Sequence, residues 1–164
     1  MIEMKVFGLA LDEDSQVPVL ILKDMEEKIV LPIWIGAMEA MAISLALNEV
    51  KLPRPMTHDL LLSAITGLGG KVTGVSVTSL REGTYYAEIE VEMAGGRKTI
   101  DSRPSDAIAL AIRAATPIMV SKEVLEQVAD DAKGASRPIL TTEDANKWND
   151  ILEKFDLDDA KYKM

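Results

Sequence analysis

Two segments of the chain lead into a helix with nearly the same sequence. Residues 53–59 read PRPMTHD and residues 101–106 read DSRPSD, so each sets an arginine beside a proline, then a hydroxyl residue and an aspartate. Proline fits the first turn of a helix and pushes the preceding residue into an extended conformation. Both segments therefore predict a loop that turns into a helix. The apolar residues that follow predict helices over about 57–66 and 104–115.

A third helix is predicted over residues 37–50, directly after Trp34-Ile35-Gly36. Glu39 is its only acid before Glu49, and its apolar residues fall on two stripes. A helix that is apolar on two sides is buried or lies at a subunit interface. The methionines Met38 and Met41 suit an adaptable interface, so we predict a homodimer.

The other regular elements read as strands. Aliphatic runs separated by short acidic turns at residues 2–11, 17–23 and 28–35 predict a three-stranded meander whose strands are covered on both faces. Further strands are predicted at 71–80, 84–93, 97–101 and 117–120. Together these elements predict an α+β fold, a single domain with a mostly antiparallel twisted sheet and helices packed on it.

Beyond the sheet, the chain divides into three parts. The domain is predicted to span residues 1–128, and Ser121 to cap a brief helix near its end. The polar residues 129–140 are interpreted as an exposed linker. Residues 141–164 are predicted to form an amphipathic helix and a tail, because large apolar residues recur there at helical spacing.

Composition excludes several classes of protein. The 164 residues are 48% hydrophobic, enough for one sizeable core, and contain no cysteine, which excludes disulfides and thiolate chemistry. A single histidine excludes sites that need two. With 27 acids against 18 bases the net charge is −9, which argues against tight, nonspecific binding of nucleic acid and less against transient binding by an enzyme. No signal peptide or membrane span is evident, so we expect a cytoplasmic protein without membrane contact.

The residues at the predicted helix starts permit two interpretations. A helix N-terminus stabilises an acid by roughly 0.3–1 kcal/mol without any function, and arginine–carboxylate pairs commonly hold loops. The same residue types also build phosphate sites, in which carboxylates hold Mg²⁺ or Mn²⁺ and a histidine transfers a proton. Under this second interpretation the catalytic residues are His58, Asp59, Asp106 and Glu39. The phosphate-binding residues are Arg54, Arg103, Ser102, Ser105 and Thr57, and the metal ligands are Asp59, Asp101 and Asp106.

Three stretches carry a resemblance to a known family. LPIWIGAMEA at 31–40, LPRPMTHDLL at 52–61 and IDSRPSDAIALAIR at 100–113 resemble the bifunctional nuclease family in content and order. The resemblance covers about residues 1–125 and implies an α+β fold, an oligomer and cleavage of both DNA and RNA. The family pattern falls on Trp34, Gly36, Glu39, Pro55, Thr57, His58, Asp59, Ser102, Arg103, Pro104, Ser105 and Asp106.

Two hypotheses follow from these observations. The first is a nuclease that hydrolyses phosphodiester bonds in DNA and RNA with the help of a metal, and holds its nucleic acid only transiently. The alternative is a non-enzymatic, oligomeric binding or regulatory protein, in which the same residues form a structural arginine–carboxylate network. A clustered, partly exposed set of these side chains would support catalysis, whereas full burial with every acid paired to an arginine would support the structural role.

Overall fold

The computed structural model describes residues 1–134, with side chains through residue 129. The predicted amphipathic helix within 141–164 lies outside the described residues. The strands are β1 (Ile2–Leu11), β2 (Pro18–Asp24), β3 (Val30–Trp34), β4 (Lys71–Arg81), β5 (Thr84–Met93), β6 (Gly96–Ser102) and β7 (Ile118–Val120). The helices are α1 (Ala37–Leu47), α2 (Thr57–Gly67), α3 (Pro104–Ala114) and α4 (Lys122–Gly134).

All seven strands belong to one sheet in the order β3-β2-β1-β7-β4-β5-β6. Every neighbouring pair is antiparallel except β4 and β7, which run parallel. The Tyr85 hydroxyl in β5 donates a hydrogen bond to the Pro32 carbonyl in β3, 3.4 Å away, although four strands lie between β5 and β3 in the sheet. The sheet is therefore strongly curled. The predicted α+β fold with a mostly antiparallel sheet is confirmed.

The strands of the meander differ in how far their two faces are covered. In β2, Leu20 and Leu22 belong to the main core, while Val19 and Ile21 are buried in a second, smaller cluster. In β3 only alternate residues are buried, so the prediction of two covered faces holds for β2 and is wrong for β3.

Helix α3 is the central helix of the fold. It packs against α1 and α2 and rests on β4 and β5. Helix α1 buries Ala40, Ala42 and Ile43, whereas Met38 at its start is 69% exposed. The apolar residues of α1 are therefore divided between the core and the surface. Among the described helices, none combines the length and the apolar character that crossing a membrane requires.

Helix α4 is longer than predicted. As expected, Ser121 caps its start, with the hydroxyl oxygen accepting a hydrogen bond from the Val124 amide at 3.2 Å. The helix then continues to Gly134, inside the segment interpreted as a linker. Residues 129–133 read ADDAK, which is polar but contains no helix breaker, so the helix continues through them.

Candidate functional site

The three helix starts are built alike. Glu39, Asp59 and Asp106 are each the third residue of their helix. A carboxylate at this position lies near the unpaired N–H groups of the first turn, which favour negative charge. Because α1 and α2 both pack against α3, these three N-terminal turns are brought together by the fold.

Asp106 is the centre of the first cluster. Its Oδ1 lies 3.0 Å from His58 Nε2, and its Oδ2 accepts a hydrogen bond from Arg103 Nε at 2.7 Å. Arg103 Nη1 donates a second hydrogen bond to Glu39 Oε1 at 2.9 Å. One exposed guanidinium therefore links the starts of α1 and α3, and the carboxylate beside it holds the histidine of α2. We call His58, Asp106, Arg103 and Glu39 the helix-start cluster.

The protonation pattern of the helix-start cluster follows from its contacts. Burial would raise the pKa of Asp106, but the hydrogen bonds and charges of Arg103 and His58 outweigh it, so this pKa lies below its usual value. The hydrogen bond to Asp106 raises the pKa of Arg103 in turn. An ionised carboxylate can only accept, so His58 carries its proton on Nε2. In the neutral ring Nδ1 is then the acceptor, and no described residue bonds to it.

Gly36 makes room for Glu39. A Cβ built on Gly36 would overlap Glu39 Oε2, because the carboxylate folds back over the residue that precedes α1. The φ of Gly36 is −75°, an angle that any residue adopts, so space and not backbone conformation requires glycine here. The Gly36–Glu39 spacing in WIGAMEA thus positions the acid that Arg103 binds.

The helix-start cluster opens onto a groove. Its volume is about 690 Å³, and it runs between α2, the β5–β6 pair and the start of α3. One wall is polar and contains His58, Arg103 and Asp106, while the other is apolar and aromatic. The Arg103 side chain is 65% exposed. The lining residues are Thr57, His58, Leu61, Thr84, Tyr85, Tyr86, Ile89, Ile100, Asp101, Ser102, Arg103 and Asp106.

Asp59 belongs to a different set of contacts. Its Oδ1 accepts a hydrogen bond from Arg113 Nε at 2.7 Å, and its Oδ2 accepts one from the Met56 amide at 3.0 Å. Burial would raise the pKa of Asp59, but the Arg113 and Met56 hydrogen bonds together lower it. Arg113 is only 9% exposed and also donates to the Ala42 and Ala109 carbonyls. This contact set ties α1, α2 and α3 together and lines a separate cavity of about 290 Å³.

The structure divides the residues predicted from the sequence into two groups. Those in or beside the groove are His58, Asp106, Arg103, Glu39, Thr57, Asp101 and Ser102. Arg54, Asp59 and Ser105 do not line it. Arg54 is exposed and forms no ion pair with a described residue, and Ser105 is buried in the first turn of α3. The two helix starts converge through His58 and Asp106, but Arg54 does not take part in the contact.

Sequence reasoning missed several contributors. It assigned no role to Arg113, although a lone arginine at the end of an otherwise apolar helix is a signal for a buried partner. It also missed Leu61, Tyr86 and Ile100, which form part of the groove's apolar wall. Ile100 stands out in the sequence as an isoleucine in an otherwise polar strand.

A metal site is not preformed. Within residues 1–129 no three His, Asp or Glu side chains are grouped closely enough to hold an ion. The cause is visible at the two aspartates predicted as ligands, Asp59 and Asp106, since both oxygens of each already accept hydrogen bonds. A divalent cation at either aspartate would have to share these oxygens with their present hydrogen-bond donors.

Comparison with known proteins places this chain in a family. A model of the bifunctional nuclease domain matches residues 20–133. An uncharacterized protein of Mycobacterium tuberculosis is 34% identical over 163 residues, which cover 97% of this chain and 98% of that protein. Bifunctional nuclease 2 and bifunctional nuclease 1 of Arabidopsis thaliana are each 31% identical, over 57% and 64% of this chain and 30% and 34% of their own lengths. The chain belongs to the bifunctional nuclease domain family.

Proposed function

We propose that the chain is a nuclease whose active site is the groove beside the helix-start cluster, hydrolysing phosphodiester bonds in DNA and RNA. The observation that carries this proposal is the His58–Asp106–Arg103 contact, which joins a proton acceptor, an orienting carboxylate and an exposed cation at the groove wall. The names of the plant relatives support the same chemistry at the level of the family.

His58 is the general base in this mechanism. Asp106 holds Nε2–H, which fixes the tautomer and the ring orientation and leaves Nδ1 to accept a proton. A water molecule in the groove gives its proton to Nδ1, and its oxygen forms a bond to phosphorus. The bond from phosphorus to the leaving sugar oxygen breaks, that oxygen takes a proton from solvent, and His58 returns its proton to solvent.

Arg103 binds the phosphate. Its Nε and Nη1 are engaged by Asp106 and Glu39, which hold the guanidinium plane in place, whereas Nη2 donates to no described residue. A positioned donor of this kind stabilises the negative charge that develops on the phosphate oxygens. The N-terminal turns of α2 and α3 add favourable potential at the same wall.

The apolar wall suits the other parts of a nucleotide. Tyr86 is 40% exposed and Ile100 is 45% exposed, and both line the groove. Aromatic and aliphatic surfaces accept bases of any sequence, since every base has an apolar face. This matches an enzyme that acts on both DNA and RNA.

The experiment compares hydrolysis of fluorescent DNA and RNA oligonucleotides by wild type, His58→Ala, Arg103→Ala and Lys28→Ala. Lys28 is the matched control, an exposed cation on the turn between β2 and β3, paired only with Glu26. We expect cleavage to be lost in the first two variants and kept in the third, after circular dichroism has shown that all are folded. Arms with EDTA, Mg²⁺ and Mn²⁺ test the metal dependence predicted from the sequence, which the His58 mechanism does not itself require.

The alternative function also has an observation in its favour. Glu39, Asp59 and Asp106 are all paired with an arginine, as a structural network requires. The exposure of Arg103 supports catalysis, because its guanidinium is accessible to a phosphate whereas that of Arg113 is not. Cleavage that is absent, or unaffected by both groove substitutions, would favour the non-enzymatic binding protein.

A further inference from the structure

Among the described residues, strand β6 is an open edge of the sheet. It pairs with β5 from Gly96 to Ser102 without a register shift and is the last strand in the sheet order. Its first six residues are exposed. The other edge, β3, is shorter and carries Pro32, which removes a hydrogen-bond donor. Proline and bulges are common means of blocking edge-to-edge pairing, and β6 contains neither.

We propose that β6 pairs antiparallel with β6 of a second copy of this chain, about a two-fold axis at Thr99, so that the sheet continues through the dimer. A two-fold axis perpendicular to a sheet keeps each side chain on its own face, so one residue must lie opposite itself. Thr99 is the middle residue of the seven in β6. Centring the axis there allows all seven residues to pair.

Charge complementarity selects this register. It sets Arg97 opposite the partner's Asp101, twice by symmetry, and Thr99 opposite the partner's Thr99. Moving the axis to Lys98 would set two lysines against each other. Moving it to Ile100 would remove the arginine–aspartate pairs and leave the first two residues of β6 unpaired.

Asp101 lacks a cation within the described protomer. It lies directly opposite Glu88 on β5, and neither acid forms an ion pair with a described residue. Like charges in this position destabilise a sheet. Arg97 of the same chain bonds Glu90 at 3.3 Å and is 65% exposed, so its guanidinium retains donors for a second acid. In the dimer the partner's Arg97 supplies the cation that Glu88 and Asp101 lack.

The interface also reaches the groove. Ile100 lies opposite Ile89 in the ladder and lines the groove, and the partner's Lys98 is opposite Ile100 in the proposed register. The aliphatic stem of a lysine covers apolar surface while its ammonium stays in water. Each protomer therefore contributes a cation to the rim of the other's groove. This consequence bears on the proposed function, whereas the interface itself does not depend on it.

Cysteine substitutions test the register directly, because the natural chain contains no cysteine and any disulfide must involve the introduced residue. Cα atoms of directly opposed residues lie about 4.5–5.5 Å apart, within the range that a disulfide spans. We expect Thr99→Cys to form a disulfide-linked dimer under mild oxidation. In Lys98→Cys and Ile100→Cys the two cysteines would be roughly 8 Å apart and should not crosslink. Preferential crosslinking at either of those positions, or equal crosslinking at all three, would refute the register.

A charge swap tests the interface without a covalent bond. Arg97→Asp and Asp101→Arg should each weaken dimerisation about ten-fold or more, measured by sedimentation equilibrium, since each sets like charges opposite at two symmetric positions. The double variant, Arg97→Asp with Asp101→Arg, should restore dimerisation. Lys28→Asp makes the same change in charge as Arg97→Asp, but far from β6, and should have no effect on dimerisation. A wild-type protein that sediments as a monomer throughout the micromolar range would overturn the proposal.

Discussion

Removing the guanidinium of Arg113 should destabilise the fold strongly. Arg113 Nε donates to Asp59 at 2.7 Å, Nη2 to the Ala42 carbonyl at 3.0 Å and Nη1 to the Ala109 carbonyl at 2.9 Å. These contacts join α1, α2 and α3. We choose Arg113→Met, because methionine keeps much of the aliphatic stem and removes every donor.

The magnitude follows from the exposure of the partners. Breaking a fully buried ion pair costs about 3–5 kcal/mol. Here Arg113 is 9% exposed but Asp59 is 41% exposed, so water can replace part of what the carboxylate loses. The two carbonyls belong to helices and keep a backbone partner each. We therefore expect Arg113→Met to lower the free energy of unfolding by about 2–4 kcal/mol.

The assay is urea denaturation followed by circular dichroism, at one protein concentration because dimerisation would couple stability to concentration. The matched control is Arg54→Met, at an exposed arginine without an ion pair to a described residue, which should change stability by less than about 0.5 kcal/mol. Asp59→Ala combined with Arg113→Met should cost less than the sum of the single variants, by about 1–3 kcal/mol. If the single effects were additive, or if Arg113→Met were as stable as the control, the Asp59–Arg113 contact would not have the structural role assigned to it.

Three other predictions concern space and charge. Gly36→Ala should displace Glu39 from Arg103 and impair cleavage, and normal cleavage would contradict the close fit of Glu39 against Gly36. The urea midpoint should stay nearly unchanged, because the displaced pair is exposed and alanine tolerates this backbone. Gly70→Ala should destabilise by about 1–3 kcal/mol, measured by thermal melting, since a Cβ there would lie 2.9 Å from a valine methyl of β5 and 3.1 Å from a backbone carbonyl. The pKa of Asp106 is lowered by folding, so its ionised form stabilises the native state above the ordinary value of 3.8, and this contribution is lost as pH falls through the lowered pKa. The stability advantage of wild type over Asp106→Asn should therefore shrink in strong acid, and an advantage that grows there would contradict the sign.

Local sequence patterns predicted most elements of the fold. The proline-led segments fixed where α2 and α3 begin, and alternation in TYYAEIEVEM matched the bounds of β5, Thr84–Met93. These features depend on residues close together in the chain, which is why they can be read from one sequence. The continuation of α4 past residue 128 was missed because polarity was taken for a loop where no helix breaker was present.

The partners within the site depend instead on packing. Asp59 lies five residues after Arg54 and 54 residues before Arg113, yet it pairs with Arg113. The end of α3 is brought to the start of α2 only by the helix arrangement, which no local pattern encodes. His58 and Asp106 are likewise 48 residues apart and meet at 3.0 Å. Sequence analysis could name both residues but could not assign the contact between them.

The exposure of the two arginines explains how one family pattern serves both stability and the proposed chemistry. Arg113 is buried and all its contacts are internal, whereas Arg103 is 65% exposed and keeps donors for a ligand. In the proposed general-base form of the site, in which His58 carries no charge, Glu39 and Asp106 outnumber Arg103 by one charge, so side chains alone would repel a phosphate. Three converging helix N-termini, each equivalent to about half a positive charge, offset this excess. A phosphate must also compete with Glu39 and Asp106 for the guanidinium, so binding is weak and release is rapid. Under the proposed function, a chain of net charge −9 would thus hold nucleic acid briefly as a substrate and would not retain it as a partner.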